Sequence, residues 1–240
     1  MSESTTSGPR SVSCTILAYN EEESLEQAVL DVHGALALLG RPFEVLIVDD
    51  GSTDRTPEIG MALEARFEEV SLLRHGRNLG PGSAILTGIR NARCDNICFH
   101  PADQQVDFRE VAAMVPLLDD ADIVVVSRSH RPGYTPMRQV TSQVYITLAR
   151  LLFGLDGFQD FNFIYLFRRE LFDGMPIDSD GVFLCTEILV RAIRRGARVA
   201  HAEAECLPRV AGTSKVYRPR VIAKTLREML AFWLRTRRAT

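Results

Sequence analysis

Val45-Leu46-Ile47-Val48-Asp49-Asp50-Gly51-Ser52-Thr53-Asp54 is the stretch whose reading decides the fold. Its first four residues are apolar and three of them are β-branched, the pattern of a buried strand. Two carboxylates follow at once, then Gly and Ser, which form turns. Thr56-Pro57-Glu58 opens a helix, with Thr as the cap and Pro at the first helical position. A hydrophobic strand thus ends in paired acids on a tight turn into a helix. Ligands of open α/β sheets bind at the carboxyl ends of the strands, so Asp49 and Asp50 stand where a ligand is expected.

The same alternation extends in both directions. Residues 12–18 form an apolar strand closed by Tyr19-Asn20-Glu21. Asn20 is placed to cap the next helix, with Glu23 in the capping-box position. Leu25, Ala28, Val29, Val32, Leu36 and Leu39 recur at helical spacing, which predicts an amphipathic helix over 22–39. Downstream of the central stretch come a helix over 57–67, a strand over 70–74, and the glycine-rich Arg77-Asn78-Leu79-Gly80-Pro81-Gly82-Ser83 leading into a helix. A strand over 96–99 ends in His100-Pro101-Ala102-Asp103-Gln104-Gln105, where His100 reads as a loop residue. A helix to about 118 and a strand over 123–126 ending in Ser127-Arg128 follow. Beyond that the pattern loosens: helices over 139–153, 183–194 and 219–235, and strands over 161–167 and 199–204. Strands alternating with helices predict a mostly parallel α/β sheet flanked by helices. With no internal repeat and no long linker, the 240 residues read as a lead-in over 1–10, one domain over 11–216 and a basic amphipathic helix over 217–240.

Composition is that of an ordinary globular protein, 46% hydrophobic and 25% charged. The net charge of −3 conceals an asymmetry: residues 216–240 carry seven Lys or Arg and one Glu, leaving the rest of the chain strongly acidic. That balance excludes a nucleic-acid binder. Five cysteines without a Cys-x-x-Cys pair read as free thiols of a reducing cytosol, with Cys14 and Cys98 buried in strands. No apolar run reaches the roughly 18–20 residues of a membrane span, and residues 1–10 do not resemble a signal peptide. These features predict a cytoplasmic protein.

Three strand ends carry polar groups on one edge: Tyr19-Asn20-Glu21, Asp49-Asp50, and Asp103 with Gln105. One acid after a strand usually makes a turn; three clusters on one edge point to a site. Such oxygen ligands suit Mg²⁺ or Mn²⁺ shared with substrate phosphates. The second half supplies the opposite charge through Arg128, Arg138, Arg209 and Lys215. Arg209 and Lys215 flank Val-Ala-Gly-Thr-Ser, where backbone amides can approach an anion.

The ordered set Tyr19-Asn20-Glu21-Glu22, Val48-Asp49-Asp50-Gly51-Ser52-Thr53-Asp54, Arg77-Asn78-Leu79-Gly80, Ala102-Asp103-x-Gln105 and Arg209-x-x-Gly212-x-Ser214-Lys215 resembles the family 2 glycosyltransferases. The nearest likeness is to the polyprenyl-phosphate (dolichyl-phosphate) mannose or glucose synthases. The resemblance implies a GT-A, Rossmann-like fold and an inverting transfer from a nucleoside-diphosphate sugar to a polyprenyl phosphate. By that likeness Tyr19, Glu21, Asp49 and Asp50 hold the nucleoside, and Asp103 and Gln105 hold Mg²⁺ or Mn²⁺ on the diphosphate. Arg128, Arg138, Ser142, Arg209, Ser214 and Lys215 bind the acceptor phosphate. Asp103, Arg128 and Asp160 are the candidate catalytic groups; Asp160 serves either as a base for a hydroxyl acceptor or as the anchor of an arginine.

The chain departs from the family pattern where Asp-x-Asp is usual. Pro101 replaces the first Asp, which predicts weaker metal binding. Ala18 stands for the usual Pro, and Phe161-Asn162-Phe163 replaces an aromatic-glycine-arginine segment. The same donor chemistry on a soluble acceptor, and a non-catalytic nucleotide-sugar binder, stay open as alternatives, as does a homodimer. The C-terminal helix has an expected apolar stripe of Ile222, Leu226, Met229, Leu230 and Trp233. It either packs on the domain or lies at an anionic membrane surface with its arginines toward headgroups.

Overall fold

The computed structural model describes residues 10–130, 136–158, 160–161, 163–207 and 219–237. The chain runs β1 (Val12–Ala18), α1 (Leu25–Leu38), β2 (Phe43–Asp49), α2 (Thr56–Arg66), β3 (Val70–Arg74), α3 (Pro81–Asn91), β4 (Asn96–Pro101), α4 (Phe108–Ala113), β5 (Ile123–Arg128), α5 (Pro136–Phe153), β6 (Ile164–Arg168), α6 (Leu184–Arg194), β7 (Val199–Ala204) and α7 (Pro219–Arg237). The seven strands form one sheet in the order β3-β2-β1-β4-β6-β5-β7. All pairings are parallel except those of β6, which runs antiparallel to both β4 and β5.

Parallel strands buried on both faces need helices on both sides. One apolar layer joins β1 and β2 to α1, α2 and α4 through Val29, Leu36, Leu63 and Val111. The other joins β4, β5 and β6 to α5, α6 and α7 through Ile146, Ile188, Met229 and Phe232. The topology has two consequences for a site. Strand order reverses between β1 and β4, opening a crevice at their carboxyl ends. And because β6 is antiparallel, the residues leading into it, Asp160 and Phe161, lie at that same edge.

Several expected boundaries move. Asn20 does not cap α1: it adopts φ +55° and its side chain accepts from the Thr53 amide at 2.8 Å. The helix begins later, after Ser24, because Asn20 is engaged by the neighbouring turn. Thr56 does not cap its own helix either: its buried hydroxyl accepts from the Glu21 amide at 2.8 Å, while the Asp54 carboxylate accepts from the Thr56 amide. His100 is no loop residue. It lies within β4, 2% exposed, edge-on to Phe108.

The stripe of α7 is also displaced. Thr225, Met229 and Phe232 face the core, and Leu226 and Leu230 are exposed. Phe232 sets this rotation by packing between Phe153 and Phe183.

Burial lowers the pKa of His100 from 6.5 to about 4, against the weaker upward pull of Asp107. The folded chain therefore holds His100 neutral. Its contribution to stability is complete above pH 6.5 and is lost as pH falls from 6.5 towards 4, by about 3 kcal/mol in all. Urea melts across this range should show that acid limb in the wild type and a flatter one in His100→Phe.

Candidate active site

The first half of the site grows from the turn after β2. Asp49 and Asp50 are almost fully buried, so each needs partners to offset desolvation. Asp49 accepts from the Ser52 amide at 2.9 Å and from Arg74 Nε at 3.3 Å. Asp50 accepts from the amides of Leu79 at 2.9 Å and Gly80 at 2.8 Å. His75 Nδ1 lies 2.7 Å from Asp50 Oδ1 and Nε2 lies 2.8 Å from the Thr87 hydroxyl. A carboxylate only accepts, so His75 donates from Nδ1 to Asp50. Asp50 thereby fastens the glycine-rich loop to the sheet.

Gly51, at φ +73°, lies so close to the backbone of Arg77 and Asn78 that a β-carbon there would overlap it. Between the turn and the loop opens a cleft of about 660 Å³ lined by Tyr19, Gly51, Ser52, Thr53, Arg74, His75, Arg77 and Asn78. Aromatic, backbone and cationic groups on one wall suit a nucleotide. Glu21 lies beside this region and its carboxylate accepts from the Ser24 hydroxyl at 2.9 Å.

The second half gathers at the ends of β4, β5 and β7 and the start of β6. Arg128 Nη1 lies 2.9 Å from Asp160 Oδ2; the Asp160 side chain is buried and that of Arg128 is 11% exposed. The guanidinium also stacks 4.4 Å from the Phe163 ring centroid. Ser127 Oγ donates to the Asp160 carbonyl at 2.8 Å. Burial pushes the thiol pKa of Cys206, just past β7, up; Arg128 and Arg138 pull it down, and Asp103 and Asp160 add to the rise. Four of the expected residues, from four separate segments, thus act electrostatically on one thiol. Ser142, one helical turn after Arg138 on α5, is buried.

The Leu207 amide donates to the Gln105 carbonyl at 2.7 Å, tying the strand leaving β7 to the Asp103–Gln105 turn. Arg209 follows two residues later in the sequence; Arg209, Ser214 and Lys215 lie outside the described residues.

Asp103 is 7% exposed, and its carboxylate receives the Gln105 amide at 3.3 Å. Gln104 between them takes φ +54°, rare for a residue other than glycine. Among the described residues no group of three or more His, Cys, Asp or Glu is placed to hold a metal. One carboxylate and one amide oxygen fit a hard cation that keeps waters and shares diphosphate oxygens, not a cage made by the protein alone.

Three contributors escaped the sequence reading. His75 follows a strand end as the other site residues do, and was readable on that ground. Glu187 is fully buried on α6, accepting from the amides of Asp178 and Ser179 and from Arg191 Nε. Its signal was an acid inside the apolar Leu184–Val190 run with Arg191 four residues on. Cys206 gave no sequence signal.

A cleft on one side of the crevice and an arginine–carboxylate cluster on the other make this edge of the α/β sheet the candidate active site. The sequence profile of glycosyl transferase family 2 matches residues 13–185, and the chain belongs to that family. Glycosyltransferase AglD of Haloferax volcanii is 29% identical over 92% of this chain and 37% of its own length. An undecaprenyl-phosphate 4-deoxy-4-formamido-L-arabinose transferase of Klebsiella pneumoniae is 31% identical over 69% of the chain and 51% of its length. Dolichol-phosphate mannosyltransferase of Pyrococcus furiosus is 27% identical over 75% and 52%. The chain therefore spans between about a third and a half of the length of these relatives.

Among solved structures, glucosyl-3-phosphoglycerate synthase of Mycobacterium tuberculosis, in complex with Mn²⁺, UDP and phosphoglyceric acid, superposes with a TM-score of 0.72 at 18% identity, covering 93% of this chain and 78% of that one. This likeness establishes the GT-A fold. No helix among the described residues is long and apolar enough to cross a membrane.

Proposed function

We propose that this glycosyltransferase moves a sugar from a nucleoside-diphosphate sugar to a polyprenyl phosphate. The observation that carries the reading is the pairing of Arg128 with Asp160 at the crevice, where Phe163 also stacks on the guanidinium. Asp160 and Phe163 fix the guanidinium, so the cation meets an incoming anion already oriented. The nucleoside occupies the cleft at Tyr19 and the 51–53 turn, with the diphosphate directed towards Asp103 and Gln105. A divalent cation bound there with the diphosphate supplies positive charge against the leaving group.

An acceptor phosphate oxygen attacks the anomeric carbon from the face opposite the leaving diphosphate. The new carbon–oxygen bond forms as the old one breaks, and configuration inverts. A phosphate is ionised at neutral pH and needs no strong base. Asp160 accordingly serves as the anchor of Arg128 and not as a proton acceptor.

A second reading rests on the glucosyl-3-phosphoglycerate synthase likeness. The acceptor named for that protein is soluble, and the same arginines would suit its phosphate. The donor half common to both readings is tested by thermal denaturation with UDP-, GDP- and dTDP-sugars and Mg²⁺ or Mn²⁺. One base is expected to raise the midpoint in a saturable way; no shift with any would overturn the donor assignment.

A polyprenyl acceptor places the enzyme at a lipid surface, and two helices suit that. The exposed face of α5 carries Met137, Val140, Val144 and Leu151, and α5 has no acidic residue. The exposed face of α7 carries Leu226, Leu230 and Leu234 with Arg220, Arg227 and Arg237. Its one acid, Glu228, is turned inward. Apolar residues interspersed with cations of the same helices fit the cytoplasmic face of an anionic bilayer. The full chain should float with vesicles containing anionic lipid, and changing Leu226, Leu230 and Leu234 together to Asn should abolish flotation. Equal flotation of both would exclude α7 as the contact.

A further inference from the structure

Helix α7 is 140 or more residues from the donor cleft in sequence, yet a short series of contacts joins them. Lys224 Nζ lies 2.6 Å from Asp180 Oδ1 and 3.7 Å from Glu228 Oε1. Glu228 is half-buried and packs against Gly181, where an added β-carbon would stand 2.6 Å from its carboxylate. The backbone of Asp180 and Gly181 in turn lies directly on Gly82, in the first turn of α3, with no room for a β-carbon. That turn continues the loop whose Leu79 and Gly80 amides are held by Asp50 and whose Arg77 and Asn78 line the cleft.

The 178–181 segment has little freedom on its remaining side. Glu187 binds the amides of Asp178 and Ser179, and Arg191 and Arg235 both reach the Asp178 carboxylate, at 2.7 and 3.3 Å. The contacts at Gly181 and Gly82 are side chain against backbone and backbone against backbone, while Asp178 and Asp180 are held by ion pairs between side chains. A shift of α7 at Glu228 therefore reaches the start of α3 through two close contacts, at Gly181 and at Gly82.

We infer that α7 is a working part of the donor site: Lys224 and Glu228 are positioning residues that hold segment 178–181 against Gly82 and so set the donor loop in its binding position. This rests on the reading of the cleft as a nucleotide site. Its consequence is that the helix exposing Leu226, Leu230 and Leu234 also governs donor affinity. The Lys224–Asp180 pair is itself partly exposed, and such pairs contribute little alone. The effect belongs to both α7 residues acting on one segment.

The test is calorimetric titration of the full-length chain with whichever of UDP, GDP and dTDP binds the wild type most tightly, in Mg²⁺. Lys224→Met with Glu228→Met should weaken the nucleotide by about fivefold or more, within the usual range of coupling between sites. Lys224→Arg should bind within about twofold of wild type. Gly82→Ala, which acts on the other side of the contact, should weaken binding at least as much as the double variant. A role confined to stability would lower the melting midpoint of the free chain and leave the dissociation constant unchanged.

If the double variant binds within about twofold of wild type, the inference is wrong while the nucleotide site stands. If the wild type binds none of the three, the reading of the cleft itself fails. Should the double variant not fold, Glu228→Gln carries the test against the same thresholds.

Discussion

Replacing Arg128 by methionine should lower turnover by about two to three orders of magnitude, the usual cost of removing one preorganised charge-stabilising donor. At the end of β5 the side chain is placed by two independent contacts, the Asp160 carboxylate at 2.9 Å and the Phe163 ring at 4.4 Å. Methionine keeps the volume and removes the charge. It also leaves Asp160 buried without its arginine, which costs stability by about 3–5 kcal/mol.

The two losses are separable. Adding Asp160→Asn to Arg128→Met removes the stranded charge, so the double variant should regain most of the stability and none of the turnover. Arg128→Lys keeps the charge but forfeits the planar contact with Phe163, and should fall between wild type and methionine. Steady-state kinetics with denaturant melts of all four chains check this. A double variant that recovered turnover would show that Arg128 serves only to neutralise Asp160.

The second large effect is expected at Asp50. Its two oxygens hold the amides of Leu79 and Gly80 and the imidazole of His75. Hydrogen bonds to a buried charge contribute about 1.5–3 kcal/mol each and are not additive, so Asp50→Ala should lose about 3–5 kcal/mol and release the loop that forms one wall of the cleft. Donor affinity should fall with it. Asp50→Asn presents an amide in place of one acceptor oxygen and should fall part of the way. If Asp50 instead read the base directly, Asp50→Asn would alter the preference among UDP, GDP and dTDP and leave the melting point of the free chain unchanged.

These two residues show how far the sequence carries the account. The apolar run 45–48 and the acids after it were enough to place β2 and its turn at the carboxyl edge, because burial on both faces and turn chemistry are local properties. Strands β1, β3 and β7 likewise follow from alternation alone. The orientation of β6 does not. An aromatic, apolar segment reads the same in either direction, and its antiparallel course, which brings Asp160 to Arg128, is a tertiary result.

Asn20 shows a second kind of limit. Its sequence context is that of a helix cap, but the neighbouring turn at Thr53 competes for its side chain, and α1 starts later. The rotation of α7 was hidden for a similar reason: the positions of Phe153 and Phe183 decide which face is buried, and neither is near it in sequence. Arg128 and Asp160 were legible as two charges in a list, not as a pair.

The central claim is transfer to a polyprenyl phosphate, and the direct measurement is the partition of label. The full chain is incubated with Mg²⁺, undecaprenyl phosphate in anionic vesicles and the radiolabelled nucleotide sugar that stabilises it, then extracted with organic solvent. The account predicts label in the organic phase that depends on the lipid phosphate and disappears with Arg128→Met. Label confined to the aqueous phase in the presence of a soluble phosphorylated acceptor, with none in the lipid, would contradict it.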